Sequence, residues 1–242
     1  MTQMLSLPDV FALACDCLTR AGVPDGAARS VAAEIAAAEA AGERRHGMEA
    51  LLRDMRLLRY GRIDAGAAPR TGRPRSALLH VDARHGFAAA ALAGVPADLG
   101  AMAKAHGVAM ARLDRASAPG AMIRAIQPLA EAGLVALAQG ATGPGRIAHP
   151  DLAGPVTLTR KLRAALDPLM PEPQPAPAEA ARQPADSPLG GRVAHGAWIS
   201  AMPLDAVGED LLDAETWTSA PPLGPTGEVA FSVDLLEQIV TA

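Results

Sequence analysis

VAMARLDRASAPGAMIRAIQPLAEAGLVALA, residues 108–138, changes its periodicity twice and so decides how the rest of the chain is read. Val108 to Leu113 reads as a short strand, residues 120 to 132 as a helix, and Leu134 to Ala138 as a second strand. A strand, a helix and a strand in close succession predict a parallel pair joined by a helical crossover. Upstream, Leu78, Leu79 and Val81 form another short strand and residues 87 to 105 another helix, so the same unit is met twice. Pro96 and Pro128 fall inside the helical stretches and are expected to kink or shorten them, because proline lacks an amide donor and clashes with the preceding turn.

The opening third has a different rhythm. Ser6 is a good N-cap with Asp9 three residues on, and Leu7, Val10, Phe11, Ala14, Cys17 and Leu18 recur at helical spacing up to Gly22. A second helix runs from near Asp25 to Gly42 and a third from Met48 to Gly61. Between Asp64 and Ser76 glycine, proline and arginine mark an exposed connection. Residues 171 to 190, PEPQPAPAEAARQPADSPLG, read as an extended proline-rich linker. Beyond it Ala197 to Met202 predicts a strand, Leu204 to Trp217 a helix, and Val229 to Val240 an amphipathic stretch that packs back on the body. The expected class is α/β: a three-helix segment (1–64), an alternating core with a mainly parallel sheet (77–139), a loop and linker (140–192), and a small C-terminal α/β piece (193–242).

Composition narrows the function classes. Lys and Arg number 22 against 26 Asp and Glu, a net charge of −4, and the cations are scattered, which excludes a nucleic-acid surface. No uncharged apolar run is long enough to span a bilayer, and the N-terminus lacks a basic start, so a cytoplasmic protein with no membrane partner is expected. With three Phe, two Trp and one Tyr, the core must be assembled from small aliphatic pieces. Cys15 and Cys17 lie two apart on a helix and point to different faces, which predicts inert thiols rather than a disulfide or metal pair.

Several fragments, in order, resemble the malate/L-lactate dehydrogenase-like family of NAD(P)-dependent oxidoreductases. They are Ala40-Ala41-Gly42 leading into Arg45-His46-Gly47, then Leu58-Arg59-Tyr60-Gly61-Arg62-Ile63, Val81-Asp82, Ala105-His106-Gly107-Val108, and Glu131-Ala132-Gly133-Leu134-Val135-Ala136-Leu137-Ala138. The resemblance implies a homodimer or hetero-oligomer using NAD or NADP to interconvert 2-hydroxy acids and 2-keto or imino acids. Such chemistry needs a positioned acid/base and a cation for the substrate carboxylate.

The family's Ser-His-Gly motif stands here as Arg45-His46-Gly47, which makes His46 the candidate catalytic residue. Where the family places an active-site Arg the chain has Ala50, with Arg53 one turn further on. Its Asn-His-Phe-Gly segment aligns with Ala116-Ser117-Ala118-Pro119-Gly120, so Ala118 replaces the principal histidine. The glycines of Gly140-Ala141-Thr142-Gly143-Pro144-Gly145 read as a turn, with phosphate contact as the other reading. Ala194 to Pro203 resembles the family's C-terminal strand. His80, His85, His106, His149 and His195 read as surface or capping residues, form no metal pattern, and leave the metal assignment at none. Arg112, Arg115 and Arg124 read as solvated surface around the replaced histidine. Three readings stay open: an oxidoreductase using His46 or an unrecognised group, a catalytically silent relative that binds a small acid or a partner subunit, and a decaying sequence of poor stability.

Overall fold

The computed structural model describes residues 2–140, 145–157, 192–193, 195–206 and 227–242. Ser6 begins helix α1 (Leu7–Arg20) with a reciprocal capping box: the Asp9 N–H donates to Ser6 Oγ at 3.3 Å and the Ser6 N–H to Asp9 Oδ2 at 3.2 Å. Helices α2 (Asp25–Ala40) and α3 (Met48–Arg59) follow, so the three-helix opening stands. Val10, Leu18, Val31, Ile35, Met48 and Leu51 pack together inside it. Strand β1 (Thr2–Ser6) pairs antiparallel with β9 (Glu228–Ser232), and the C-terminal helix α7 (Val233–Thr241) packs on α3. Phe231 and Ile239 thereby join the core of the helical body.

The second layer is a seven-stranded sheet in the order β2 (Arg70–Arg75), β3 (Leu78–Asp82), β4 (Ala109–Ala116), β8 (His195–Pro203), β5 (Leu134–Gly140), β6 (Arg146–Ala148) and β7 (Val156–Thr157). Only β3 and β4 pair in parallel; the other pairings are antiparallel. This corrects the expectation of a mainly parallel sheet. The crossovers do aim β3, β4 and β5 the same way, but β8, arriving from far along the chain, wedges antiparallel between β4 and β5. Local periodicity cannot show such an insertion.

Helices α4 (Ala88–Leu92), α5 (Val95–His106) and α6 (Ile123–Glu131) bury Leu99, Leu113, Ile126, Leu129 and Leu134 against the sheet. The single helix expected over 87–105 is therefore two. Pro96 sits in the first turn of α5, where its missing amide costs nothing, and so starts a helix instead of kinking one. Pro128 is accommodated inside the short α6. The connection between Asp64 and Ser76 contains the fully exposed edge strand β2. Of the helix expected over 204–217, residues 204–206 form a 3-10 turn and the remainder lies outside the described residues, as does the proline-rich stretch. Among the described residues no helix is long and apolar enough to cross a membrane.

Candidate active site

The turn that carries His46 is built on a buried carboxylate. Glu39, near the end of α2 and 1% exposed, accepts the Met48 N–H at 2.7 Å and so caps α3. It can do so only because residue 47 is glycine: a Cβ there would lie 2.0 Å from Glu39 Oε1. The second oxygen, Oε2, is buried with no hydrogen-bond partner, and burial raises the carboxyl pKa. Between these two fixed points Arg44–His46 forms a 3-10 turn.

Around His46 the chain gathers cations. Arg146 of β6, 4% exposed, pairs with Glu43 at 2.9 Å. Burial first, then the charge of Arg146, opposed by Glu43 and helped by Arg53 and Arg45, lowers the pKa of His46, which favours a neutral imidazole at neutral pH. Arg53, a half-exposed guanidinium, donates to Asp54 Oδ1 at 3.2 Å. Asp54 itself is buried on α3, and desolvation pushes its pKa up to about 6. Ala50, one turn before Arg53, is buried.

The entry to β8 lies against the turn that follows α3. The Val193 N–H donates to the Arg62 carbonyl at 2.9 Å, and Arg192 pairs with Asp64 at 2.9 Å. His85 Nδ1 lies 2.7 Å from the Val193 carbonyl, which can only accept, so that nitrogen carries the proton. Two residues on, His195 sits opposite Ala116 in the β4–β8 register. Its ring reaches the surface, yet loss of solvation, then Arg53 and Arg62, lowers its pKa. Arg53 therefore acts on both His46 and His195.

Other expected residues have structural partners. Ser117 is buried and its Oγ accepts the Ala88 N–H at 3.1 Å, starting α4. Glu34 closes the N-terminus of α6 by accepting the Ile123 and Arg124 amides, both at 2.9 Å. Arg112 pairs with Asp114 at 2.9 Å and lies 5.7 Å from the Trp198 ring centroid, while Arg115 pairs with Asp82. His80 contacts Asp114, His106 contacts Arg73, and buried His149 accepts the Asp151 N–H through Nδ1. Both cysteines are free, and burial raises both thiol pKa values, in keeping with inert groups. Among the described residues no cluster could hold a metal ion. Of the glycine loop after β5, residues 141–144 lie outside the described residues.

The sequence named His46 as a candidate and noted Arg53 one turn on from Ala50; it read His195 as a surface residue, and the structure leaves that residue exposed. The match of residues 194–203 to a family strand gave no hint of the neighbours that strand would have.

The comparisons with known proteins bear on the family and the fold. The sequence profile described as malate/L-lactate dehydrogenase matches residues 5–152. A Δ1-pyrroline-2-carboxylate reductase of Ancylobacter novellus is 38% identical over 133 residues, covering 54% of this chain and 39% of that protein. The chain thus spans about 40% of the length of the curated relatives it matches. Among solved structures, Δ1-piperideine-2-carboxylate reductase from Pseudomonas syringae pathovar tomato superposes with a TM-score of 0.56 at 24% identity, over 69% of this chain and 57% of the other. Malate dehydrogenase from Entamoeba histolytica gives a TM-score of 0.68 at 12% identity, over 100% of this chain and 97% of the other. At such identities the structural likeness speaks for the fold.

Proposed function

The chain belongs to the malate/L-lactate dehydrogenase family, and on that premise we propose that it acts in the nicotinamide-linked reduction of a small 2-keto or cyclic imino acid, with oxidation of the 2-hydroxy or amino acid as the reverse. The observation that carries this reading is the family match over residues 5–152, which takes in both His46 and Arg53, the latter one of the cations whose charge lowers the pKa of His46. A guanidinium offers a planar fork to a substrate carboxylate, and an imidazole alongside it contacts the oxygen or nitrogen of the reacting double bond. The relatives named as Δ1-pyrroline-2-carboxylate reductases support a cyclic imino acid as the substrate.

NAD or NADP enters through the family. A pyrophosphate is commonly cradled by open amides at a helix N-terminus, but Glu39 and Glu34 close those of α3 and α6. The donor that fits a phosphate here is instead the exposed guanidinium of Arg45, next to His46 in the chain. Bound nicotinamide would give or take the hydride; the protein's own contributions are to hold the carboxylate on Arg53 and to keep His46 neutral as a hydrogen-bond partner at the reacting atom.

The test is turnover of Δ1-pyrroline-2-carboxylate, Δ1-piperideine-2-carboxylate, pyruvate and oxaloacetate by the purified chain with NADH and NADPH. Reduction of an imino acid is expected, falling about 100-fold or more in His46→Gln. Failure to bind either cofactor at millimolar concentration would overturn the reading.

A further inference from the structure

Glu43 is the residue on which the His46 turn hangs. Its amide donates to the Ala38 carbonyl at 2.8 Å, which ties it to the end of α2. Its own carbonyl accepts the His46 amide at 2.8 Å and the Gly47 amide at 3.1 Å. Its carboxylate takes the guanidinium of Arg146 at 2.9 Å. Arg146 belongs to strand β6, where it stands opposite Ala138, and it is buried.

A charge so deeply buried is costly, and a buried ion pair commonly returns no more than the desolvation of its two members takes away. Net stability is therefore a poor account of this pair. What the pair does provide is a bridge from strand β6 of the sheet to the turn between α2 and α3, at the residue whose carbonyl accepts the His46 amide. Arg44, on the same turn, is engaged with the Ala230 carbonyl at 3.4 Å.

We propose that Arg146 is a positioning residue for His46: by holding the Glu43 carboxylate it fixes the turn, and with it the direction in which the imidazole meets the substrate. The tie itself rests on hydrogen-bond geometry, and its use in turnover rests on the reductase reading above.

The same pair also bears on the charge of the imidazole. The groups that act on His46 are Arg146 from β6, Glu43 and Arg45 from its own turn, and Arg53 from α3. Helix α2 adds Glu34 and Glu39, whose carboxylates are engaged with the amides that begin α6 and α3. Burial, and then the charge of Arg146, favour the neutral ring, and Glu43 opposes them. Removing Arg146 takes away a repelling cation and frees the carboxylate, so the His46 pKa rises. Removing the charge of Glu43 leaves Arg146 unopposed, so the pKa falls. A pair that served packing alone would give no such reversal of sign.

NMR titration of ring-labelled histidine in the full chain, without cofactor or substrate, reads this directly, with the His46 signals assigned by their loss in His46→Gln. The His46 pKa is expected above that of wild type in Arg146→Met and below it in Glu43→Gln. An unchanged pKa in Arg146→Met, or shifts of the same sign in both variants, overturns the proposal. Each single variant leaves one charge without its partner and can unfold, so the second measurement uses the double variant Glu43→Gln/Arg146→Met, which removes both. Its His46 and Gly47 amides are expected to exchange with solvent about tenfold faster than in wild type, and its kcat for Δ1-pyrroline-2-carboxylate to fall about tenfold with little change in KM. Exchange within about twofold of wild type, or a kcat within about threefold, overturns the proposal. A chain that shows the pKa shifts and the faster exchange, while the wild type reduces none of the imino or keto acids, keeps Arg146 as the anchor of the turn and defeats the reductase reading instead.

Discussion

The sheet layer and the helical body are both packed from small aliphatic residues, and they differ in how they treat charge. Between the sheet and helices α4 to α6 the cluster is apolar throughout, with Leu99, Leu113, Ile126 and Leu134 set among alanines such as Ala109, Ala136 and Ala201. The helical body instead carries the buried carboxylates Glu34, Glu39 and Asp54 on α2 and α3. Each has its pKa raised by desolvation, so each costs stability in its charged form. What these charges give in return is position. Glu34 closes α6, Glu39 fixes the turn of His46, and Asp54 holds Arg53. The apolar cluster therefore supports, and the carboxylates of the helical body shape the site together with Arg146 from the sheet's strand β6.

That contrast can be broken by mutation. Leu99 is fully buried, and Leu99→Ala is expected to cost about 4 kcal/mol, equally at pH 5 and pH 7.5, in denaturant unfolding. A strong pH dependence of that cost would contradict an uncharged sheet core. Gly47→Ala is expected to cost about 3 kcal/mol, because the new Cβ would lie 2.4 Å from the Glu39 carboxyl carbon and displace the group that caps α3. A cycle with Glu39→Ala sharpens this: without the carboxylate, Gly47→Ala should cost markedly less, and additive costs would refute the contact.

Asp54 probes the pH axis. Its folded pKa of about 6 lies above the ordinary 3.8, so the folded state binds more protons between those values, and stability falls as pH rises through that window. Glu34 and Glu39 shift in the same direction. Asp54→Asn is accordingly expected to stabilise the protein by about 1–3 kcal/mol at pH 7.5 and to flatten the pH dependence of Tm above pH 4. A lower Tm at pH 7.5 would mean that the pairing with Arg53 outweighs desolvation. The smallest effect belongs to the sheet's half-exposed face, where Arg112→Met should cost about 0.5 kcal/mol through loss of the contact with Trp198 and the ion pair with Asp114, with little dependence on pH.

How much of this was legible beforehand follows from where each constraint lies along the chain. Helices α1 to α3 and strands β3, β4 and β5 could be read because their apolar period and caps are local, as with Ser6 and Asp9. The direction of the sheet was misread because β8 comes from beyond residue 190 and no local pattern reports its insertion. His46 and Arg53 were visible through a motif and a one-turn offset. Glu39 was not, since only the folded turn shows its carboxylate occupying the space of a missing side chain at Gly47. His195 was read as a surface residue, and the structure leaves it exposed; its pairing opposite Ala116 could not be read because the two strands lie far apart in sequence.

The account depends most on Arg53 as the anchor for a carboxylate, and calorimetric titration of pyrrole-2-carboxylate into wild type and Arg53→Met tests it most directly. Binding by wild type and at least about tenfold weaker binding by the variant is the predicted result, since one charge-assisted pair is worth about 1.5–3 kcal/mol. Equal affinity in the two proteins would contradict it.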